Sequence, residues 1–319
     1  MKETSIPKWK FILLLTVYGI ITVAALLGSY FVLRAFHKSR KLRTASNNIL
    51  VSLSIADGLL AIPSILDIIQ LSLEYNGGHP SRILKEVSGT FTLFLLSVVA
   101  LHVTLMSAER FIAIKFPSRY HTVTKRRARI ISIMMWLWAM AVVVALPEVL
   151  LRKSGSKDFR KFFRTTSQVF RIRWHLVFTA ASMFLVPLLI ILCTNVYIFT
   201  VSYKQRQHVR EQCRDTLAMP IIIHDKKVVR FFITVVALCL LSIIPMLVVT
   251  SLRAFSGKSL GGCKHQMPLQ NIVYDVAMFF NAICNPLIFR WKIKNSEKFF
   301  ARCWSAAELL RAQTVFKAL

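Results

Sequence analysis

Seven apolar runs punctuate this sequence, at residues 11–35, 48–71, 84–113, 129–149, 175–203, 227–252 and 268–290. Each supplies the roughly 20 residues that an α-helix needs to cross a bilayer core. In lipid every backbone N–H and C=O must be satisfied within the protein. Runs of this length do that as helices, not as the ~10-residue strands of a barrel. The expected fold is therefore an all-α membrane protein, a seven-transmembrane helix bundle. Composition agrees: 55% of the 319 residues are hydrophobic and only 18% are charged, against ~25% charged in a soluble domain. The connections are short, so residues 1–303 are expected to form one domain and 304–319 a short cytoplasmic tail.

Forty-two Lys and Arg against 14 Asp and Glu give a net charge of +28, which in a soluble chain would suggest nucleic acid. Placement excludes that reading. The charges fall between the apolar runs, because ionised side chains are costly in lipid. Lys38, Arg40, Lys41 and Arg43 follow run one; Lys115, Arg119, Lys125, Arg126, Arg127 and Arg129 follow run three. Lys204, Arg206, Arg210, Arg214, Lys226 and Lys227 follow run five, and Arg290, Lys292, Lys294 and Lys298 follow run seven. Seven spans put these four segments on one side, and the positive-inside rule makes that side the cytoplasm. The N-terminus is then extracellular. Run one lacks a small-residue cleavage site and reads as a retained helix.

The segment between runs four and five breaks the pattern. It carries Arg152, Lys153, Lys157, Arg160, Lys161, Arg164, Arg171 and Arg173 against Asp158 alone, on the expected extracellular side. Three readings stand: a solvated cap drawn to lipid phosphates, an electrostatic funnel for an anionic ligand, or a basic bias carried over from the whole genome. The six cysteines form no C-x-x-C pair, and no metal cluster or nucleophile–base pair stands out, so the chain does not read as an enzyme. Cys193, Cys239 and Cys284 sit in apolar runs and read as buried small residues.

Polar residues inside the runs carry the motifs. Run three ends on Ser107-Ala108-Glu109-Arg110-Phe111, with Pro117 beyond it; run seven ends on Asn285-Pro286-Leu287-Ile288-Phe289. Run two holds Leu53-Ser54-Ile55-Ala56-Asp57, and runs five and six hold Pro187 and Pro245. Order, spacing and placement together resemble the rhodopsin-like, or class A, G-protein-coupled receptors, over about residues 18–303. Glu109-Arg110-Phe111 resembles that family's Asp-Arg-Tyr motif, and Asn285 to Phe289 its Asn-Pro-x-x-Tyr motif.

The resemblance implies a receptor in the plasma membrane that carries an extracellular signal to heterotrimeric G proteins by outward movement of helix six about Pro245. It implies a switch built from Glu109, Arg110, Phe111, Asp225, Asn285, Pro286 and Phe289, with Asp225 as a second carboxylate for Arg110. Asp57 with Asn281 and Asn285 matches the family's polar network and sodium site, although the serine expected in run three is replaced by Val99. Pro187 and Pro245 remove helix hydrogen bonds and allow kinks. Trp138 with Pro147 is matched to the fourth-helix tryptophan and proline. Residues after Phe289, with Trp291, Phe299 and Phe300 among lysines, suggest a short amphipathic eighth helix on the membrane surface, and Cys303 a lipidation site.

Departures are as informative. Ile243 stands where the family's helix-six tryptophan is usual, Asn195 where a helix-five tyrosine is usual, and Ser29 where a helix-one asparagine is usual. Lys85 stands in place of the outer disulfide cysteine, so the basic loop is expected to be untethered. Thr92 replaces the aspartate that amine receptors use, and Phe279 replaces the retinal-binding lysine, so neither an amine nor retinal is expected. Thr92, Leu96, Arg171, Asp275 and Phe279 are the expected ligand pocket. Membrane lipids are expected partners; nucleic acid is not. The competing readings are a seven-helix chemosensory receptor outside this class, such as a bitter-taste type, and a small membrane transporter. The two motifs favour the first reading.

Overall fold

A computed structural model describes residues 7–38, 44–78, 81–116, 120, 124–146 and 173–212, with isolated positions 241, 244, 245, 247 and 248. Helix α1 covers Lys8–Lys38, α2 Ala45–Leu59, α3 Ala61–Tyr75, α4 Arg82–Lys115, α5 Lys125–Met140, α6 Arg173–Ala180 and α7 Val186–Gln212. Among the described residues five helical units are long and apolar enough to cross a membrane: Lys8–Lys38, Ala45–Tyr75, Ile83–Lys115, Lys125–Ala145 and Val177–Val201. They coincide with the first five apolar runs. The helices outrun the first, second, third and fifth runs at both ends, and α5 begins four residues before the fourth, because polar residues continue a helix once it leaves the hydrocarbon.

Side chains mark where the spans begin. Thr44 caps α2 by accepting from the Asn47 N–H at 3.3 Å, and Thr124 caps α5 by accepting from the Arg127 N–H at 3.3 Å. Each satisfies one of the amide donors a helix start leaves free. The C-terminal end of α3 closes on Gly77, whose φ of 75° places it in the left-handed region. From there the Gly78 N–H reaches the Leu73 carbonyl at 2.9 Å, and the Gly77 N–H reaches Glu74 at 3.3 Å, the paired bonds of a Schellman turn.

Three prolines set the irregularities. The second span is broken at Leu60, whose N–H is shared between the Ala56 and Asp57 carbonyls at 3.2 Å each. Pro63 has no N–H to give Leu59, so the regular ladder cannot pass this point. The fourth and fifth spans each carry a five-residue π turn, Ala141–Ala145 and Ala181–Leu185. In both, the next N–H reaches back five residues, Leu146 to Ala141 and Val186 to Ala181. In both, the residue after that is a proline, Pro147 or Pro187. At Pro187, one of the two prolines expected to disturb its helix, the ladder widens into a π turn that ends two residues before it.

Helix α4 is the axis of the packing. Leu93, Phe94, Leu95, Leu96, Val98, Val99, Ala100, Leu101, His102 and Val103 are all buried, a run too continuous for one helical face. It packs against α2, α3, α5 and α7. By contrast α1 buries a single stripe, Tyr18, Ile21, Ala25, Gly28, Ser29 and Val32, and exposes Val23, Leu26, Leu27 and Phe31. That two-sided apolarity suits lipid outside and protein inside. Small residues allow the closest approach: a Cβ on Gly58 would stand 2.6 Å from Ser29 Oγ and 3.0 Å from Ser29 Cβ.

Two exposed side chains show how the spans face, and the second, Cys193, corrects an expectation. Trp138 is 49% exposed on the outside of α5, whereas Trp136, two residues earlier, turns inward and donates to Ser52 on α2 at 2.9 Å. A two-residue shift moves a side chain about 200° around a helix, so only one of the pair can face the bundle. Cys193 is exposed on α7, not buried; its run is apolar all round because it meets both lipid and protein.

Candidate functional site

The C-terminal end of α4 assembles the first site. Glu109 is buried and its neighbour Arg110 is about one third exposed, so the pair straddles the helix's entry into the bundle. Arg110 Nε lies 3.5 Å from Glu109 Oε2, yet that oxygen accepts no hydrogen bond. The contact is Coulombic and loosely held. Two residues overlooked in the sequence hold the pair instead. Arg110 Nη2 donates to Ser46 Oγ, in the first turn of α2, at 3.1 Å. The Tyr120 hydroxyl donates to Glu109 Oε1 at 2.5 Å, the short distance of a charge-assisted bond. Tyr120 lies ten positions beyond Arg110 in a polar connection, where no helical periodicity links it to the motif.

Burial, the bond to Glu109 and that residue's negative charge push the Tyr120 hydroxyl up to about 12, against the opposing pull of Arg110. The phenol is therefore a fixed donor at physiological pH.

Phe111, the third residue of the motif, faces α7. Its ring meets Tyr197 edge-on at 4.9 Å between centroids. Asn195, at the position where the resemblance wants a tyrosine, turns back on its own helix and donates to the Ile191 carbonyl at 2.7 Å. The aromatic contact between the third and fifth spans is thus supplied two residues later.

Asp57 is buried on α2, as an intramembrane carboxylate within a bundle should be. A second polar bridge lies at mid-bundle on α2, α4 and α5. Trp136 Nε1 donates to Ser52 Oγ, and Ser52 lies 2.9 Å from His102 Nε2. His102 Nδ1 lies 2.8 Å from the Val98 carbonyl. A carbonyl only accepts, so the imidazole proton belongs on Nδ1. Nε2 then accepts the Ser52 hydroxyl proton, and one neutral tautomer satisfies the chain.

In the N-terminal half of α4, Thr92 and Leu96 lie one turn apart and are both buried. Near them is a carboxylate the sequence reading passed over. Asp67 on α3 accepts from Ser88 at 2.8 Å. Ser88 also reaches the Pro63 carbonyl at 3.3 Å, and Lys85 lies within electrostatic reach of Asp67. Gln70, one turn further along, is buried with its Nε2 unbonded. Asp67 sits in an apolar run like Asp57, but no motif flags it.

Pro245 is helical and half-buried. Leu247 packs on the core while Leu241, Ile244 and Val248 face outward. The expected site residues Arg171, Asp225, Asp275, Phe279, Asn281, Asn285, Pro286 and Phe289, with Cys303 and the eighth helix, lie outside the described residues. No metal-holding group of His, Cys, Asp and Glu occurs among the described residues.

Comparison with known proteins bears on this geometry directly. Residues 28–289 match the 7 transmembrane receptor (rhodopsin family) pattern. The adenosine receptor A2a of Cavia porcellus is 25% identical over 323 aligned positions, covering 95% of this chain and 75% of that protein. The adenosine receptor A2b of Rattus norvegicus is 27% identical, covering 92% of this chain and 90% of that one. The 5-hydroxytryptamine receptor 2C of Pan troglodytes is 28% identical over 59% of this chain, which spans only 40% of that longer protein. The match extends through the sixth and seventh apolar runs, and with it the reading as a chemosensory receptor outside the class, or as a transporter, falls away. The chain belongs to the rhodopsin family of seven-transmembrane receptors, an all-α membrane bundle and not an enzyme.

Proposed function

We propose that the protein carries an extracellular ligand signal to heterotrimeric G proteins, with helix six moving outward about Pro245 to open the cytoplasmic face. The observation that carries this is Arg110. Its guanidinium reaches the cytoplasmic end of α4, partly exposed, with a 3.5 Å contact to Glu109 and a 3.1 Å bond to Ser46 among its partners. The Glu109 oxygen that faces it accepts no hydrogen bond, so this tie is Coulombic and the guanidinium can exchange partners. In the resting state Asp225 supplies a second carboxylate, and Asp57, Asn281 and Asn285 form the polar network, with sodium as its occupant. The N-terminus is outside and the basic collar faces the cytoplasm. The test is ligand-stimulated nucleotide exchange on a panel of purified G proteins, with Arg110→Ala as control. Exchange that survives the substitution unchanged would refute the mechanism.

The ligand is anionic in this proposal, bound between Thr92, Leu96, Arg171, Asp275 and Phe279. Eight basic residues against one aspartate between runs four and five support that, since such a funnel raises local anion concentration. Responses should weaken as ionic strength rises and when Arg160, Lys161 and Arg164 are neutralised together. A response indifferent to both leaves the loop as a lipid-facing cap.

A further inference from the structure

The cytoplasmic ends of α4 and α7 are joined by a feature that no motif describes. Lys115 closes α4, and its ammonium stands 5.2 Å from the centroid of Phe111, 5.3 Å from Phe116 and 5.4 Å from Tyr197. Phe111 and Tyr197 are in turn packed edge-to-face at 4.9 Å. Two of the rings belong to the third span and its end; Tyr197 belongs to the fifth. A cation within about 6 Å of an aromatic face is attracted by the ring quadrupole. One lysine therefore addresses three rings on two spans.

The alternative for such a lysine is full hydration in the cytoplasm or contact with lipid phosphate, and Lys115 is exposed enough to reach either. It lies over the rings instead. No carboxylate is paired with it among the described residues; Glu109, the acid at this end, lies against Arg110. The clamp and that ion pair coexist in one conformation. Whatever stabilises the clamp stabilises the conformation in which Arg110 is engaged.

We propose that Lys115 is a positioning residue for coupling, a cation–aromatic clamp that ties α7 to α4 through Tyr197 and favours the state in which Arg110 is held. The inference rests on the proposed signalling role only for its functional readout, since the clamp itself is a structural tie. Lys115→Gln keeps much of the side-chain length and removes the charge. It should raise ligand-independent nucleotide exchange about two- to fivefold, the population shift expected of a partly exposed cation–aromatic contact. Tyr197→Leu should do the same. Lys115→Arg and Tyr197→Phe, which keep cation and ring, should leave the basal rate near that of the unsubstituted receptor. The Lys115→Gln, Tyr197→Leu double variant should be no more active than either single one.

A second measurement needs no G protein. With the six cysteines replaced by serine, nitroxide labels at Ile114→Cys and Thr200→Cys report the distance between the two helix ends. The parent should give a narrow distribution, and Lys115→Gln should lengthen or broaden it while Lys115→Arg does not. If the unsubstituted receptor drives no exchange on any G protein but the distance responds to charge, the signalling role fails and the clamp stands. An unchanged distance in Lys115→Gln, or a Lys115→Arg variant as perturbed as Lys115→Gln, overturns the clamp. So does strictly additive activation in the double variant.

Discussion

The Tyr120 hydroxyl donates to Glu109 Oε1 at 2.5 Å, while Arg110 stands 3.5 Å from the other oxygen, Oε2, which accepts no hydrogen bond. The phenol and the guanidinium therefore compete for one buried acid. Tyr120→Phe removes the stronger partner and leaves Glu109 Oε1 to find another, a loss of order 1–3 kcal/mol when a buried acceptor goes unpaired. The nearest available charge is Arg110, so the variant should hold the arginine more tightly and respond less to ligand. Glu109→Gln should act the other way, freeing Arg110 and raising basal exchange. Nucleotide-exchange assays on both variants give the signs, and two shifts in the same direction would contradict the competition.

Burial and that bond together set a pH window. Tyr120 titrates near 12, above the ordinary value of 10. A group whose folded pKa is raised stabilises the fold fully below its unfolded pKa and loses that contribution as pH rises through the folded one. The Tyr120 contribution should thus be intact at neutral pH and vanish between about pH 10 and 12. Tyrosinate absorbance of the detergent-solubilised receptor, compared with Tyr120→Phe, isolates the late-titrating phenol. A difference spectrum that rises near pH 10 would show that the hydroxyl is not held by Glu109.

Trp136 and Trp138 offer a matched pair within one helix. Trp136→Phe removes the donor to Ser52 and unsettles the link to His102, which is fully buried. That should cost about 1–3 kcal/mol and lower the melting temperature in detergent. Trp138→Phe, on the outer face, should stay within about 0.5 kcal/mol of the parent. Thermal unfolding followed by ligand-free fluorescence of a thiol-reactive dye separates them. Equal losses would mean that Trp136 acts by bulk alone.

What the sequence made legible follows from what lipid demands. Hydrophobic runs located five spans that the structure describes, because every crossing must be apolar and helical. Arg110 and Asp57 stood out because charge near a membrane is rare and expensive. Asp67 shared that signal and was still passed over, since it sits outside any motif. Facing was harder to read. Trp136 and Trp138 are both apolar neighbours in a run that meets lipid and protein alike, so no amphipathic stripe distinguishes them. Tyr120, Ser46 and Lys115 act through contacts between elements, at sequence distances of 11, 64 and 82 residues from Glu109, Arg110 and Tyr197. Spacing along one chain carries no record of such pairings.

Gly58 gives the last and sharpest packing test. It adjoins Asp57 and lets α2 approach Ser29 on α1, whose hydroxyl is itself tied to the Ala25 carbonyl at 2.6 Å. A methyl group on Gly58 would meet Ser29 Oγ at 2.6 Å and Ser29 Cβ at 3.0 Å. The hydroxyl can rotate away but the Cβ cannot, so α1 and α2 must separate. Gly58→Ala should cost about 1–3 kcal/mol, the usual range for overpacking. Ser29→Gly deletes both obstructing atoms and opens a small gap of its own. The double variant Ser29→Gly, Gly58→Ala should therefore be more stable than the sum of the single losses, because the new methyl fills the space the serine vacates. Melting temperatures of the four proteins close the cycle. Additive losses would show that the helices already have room at this crossing.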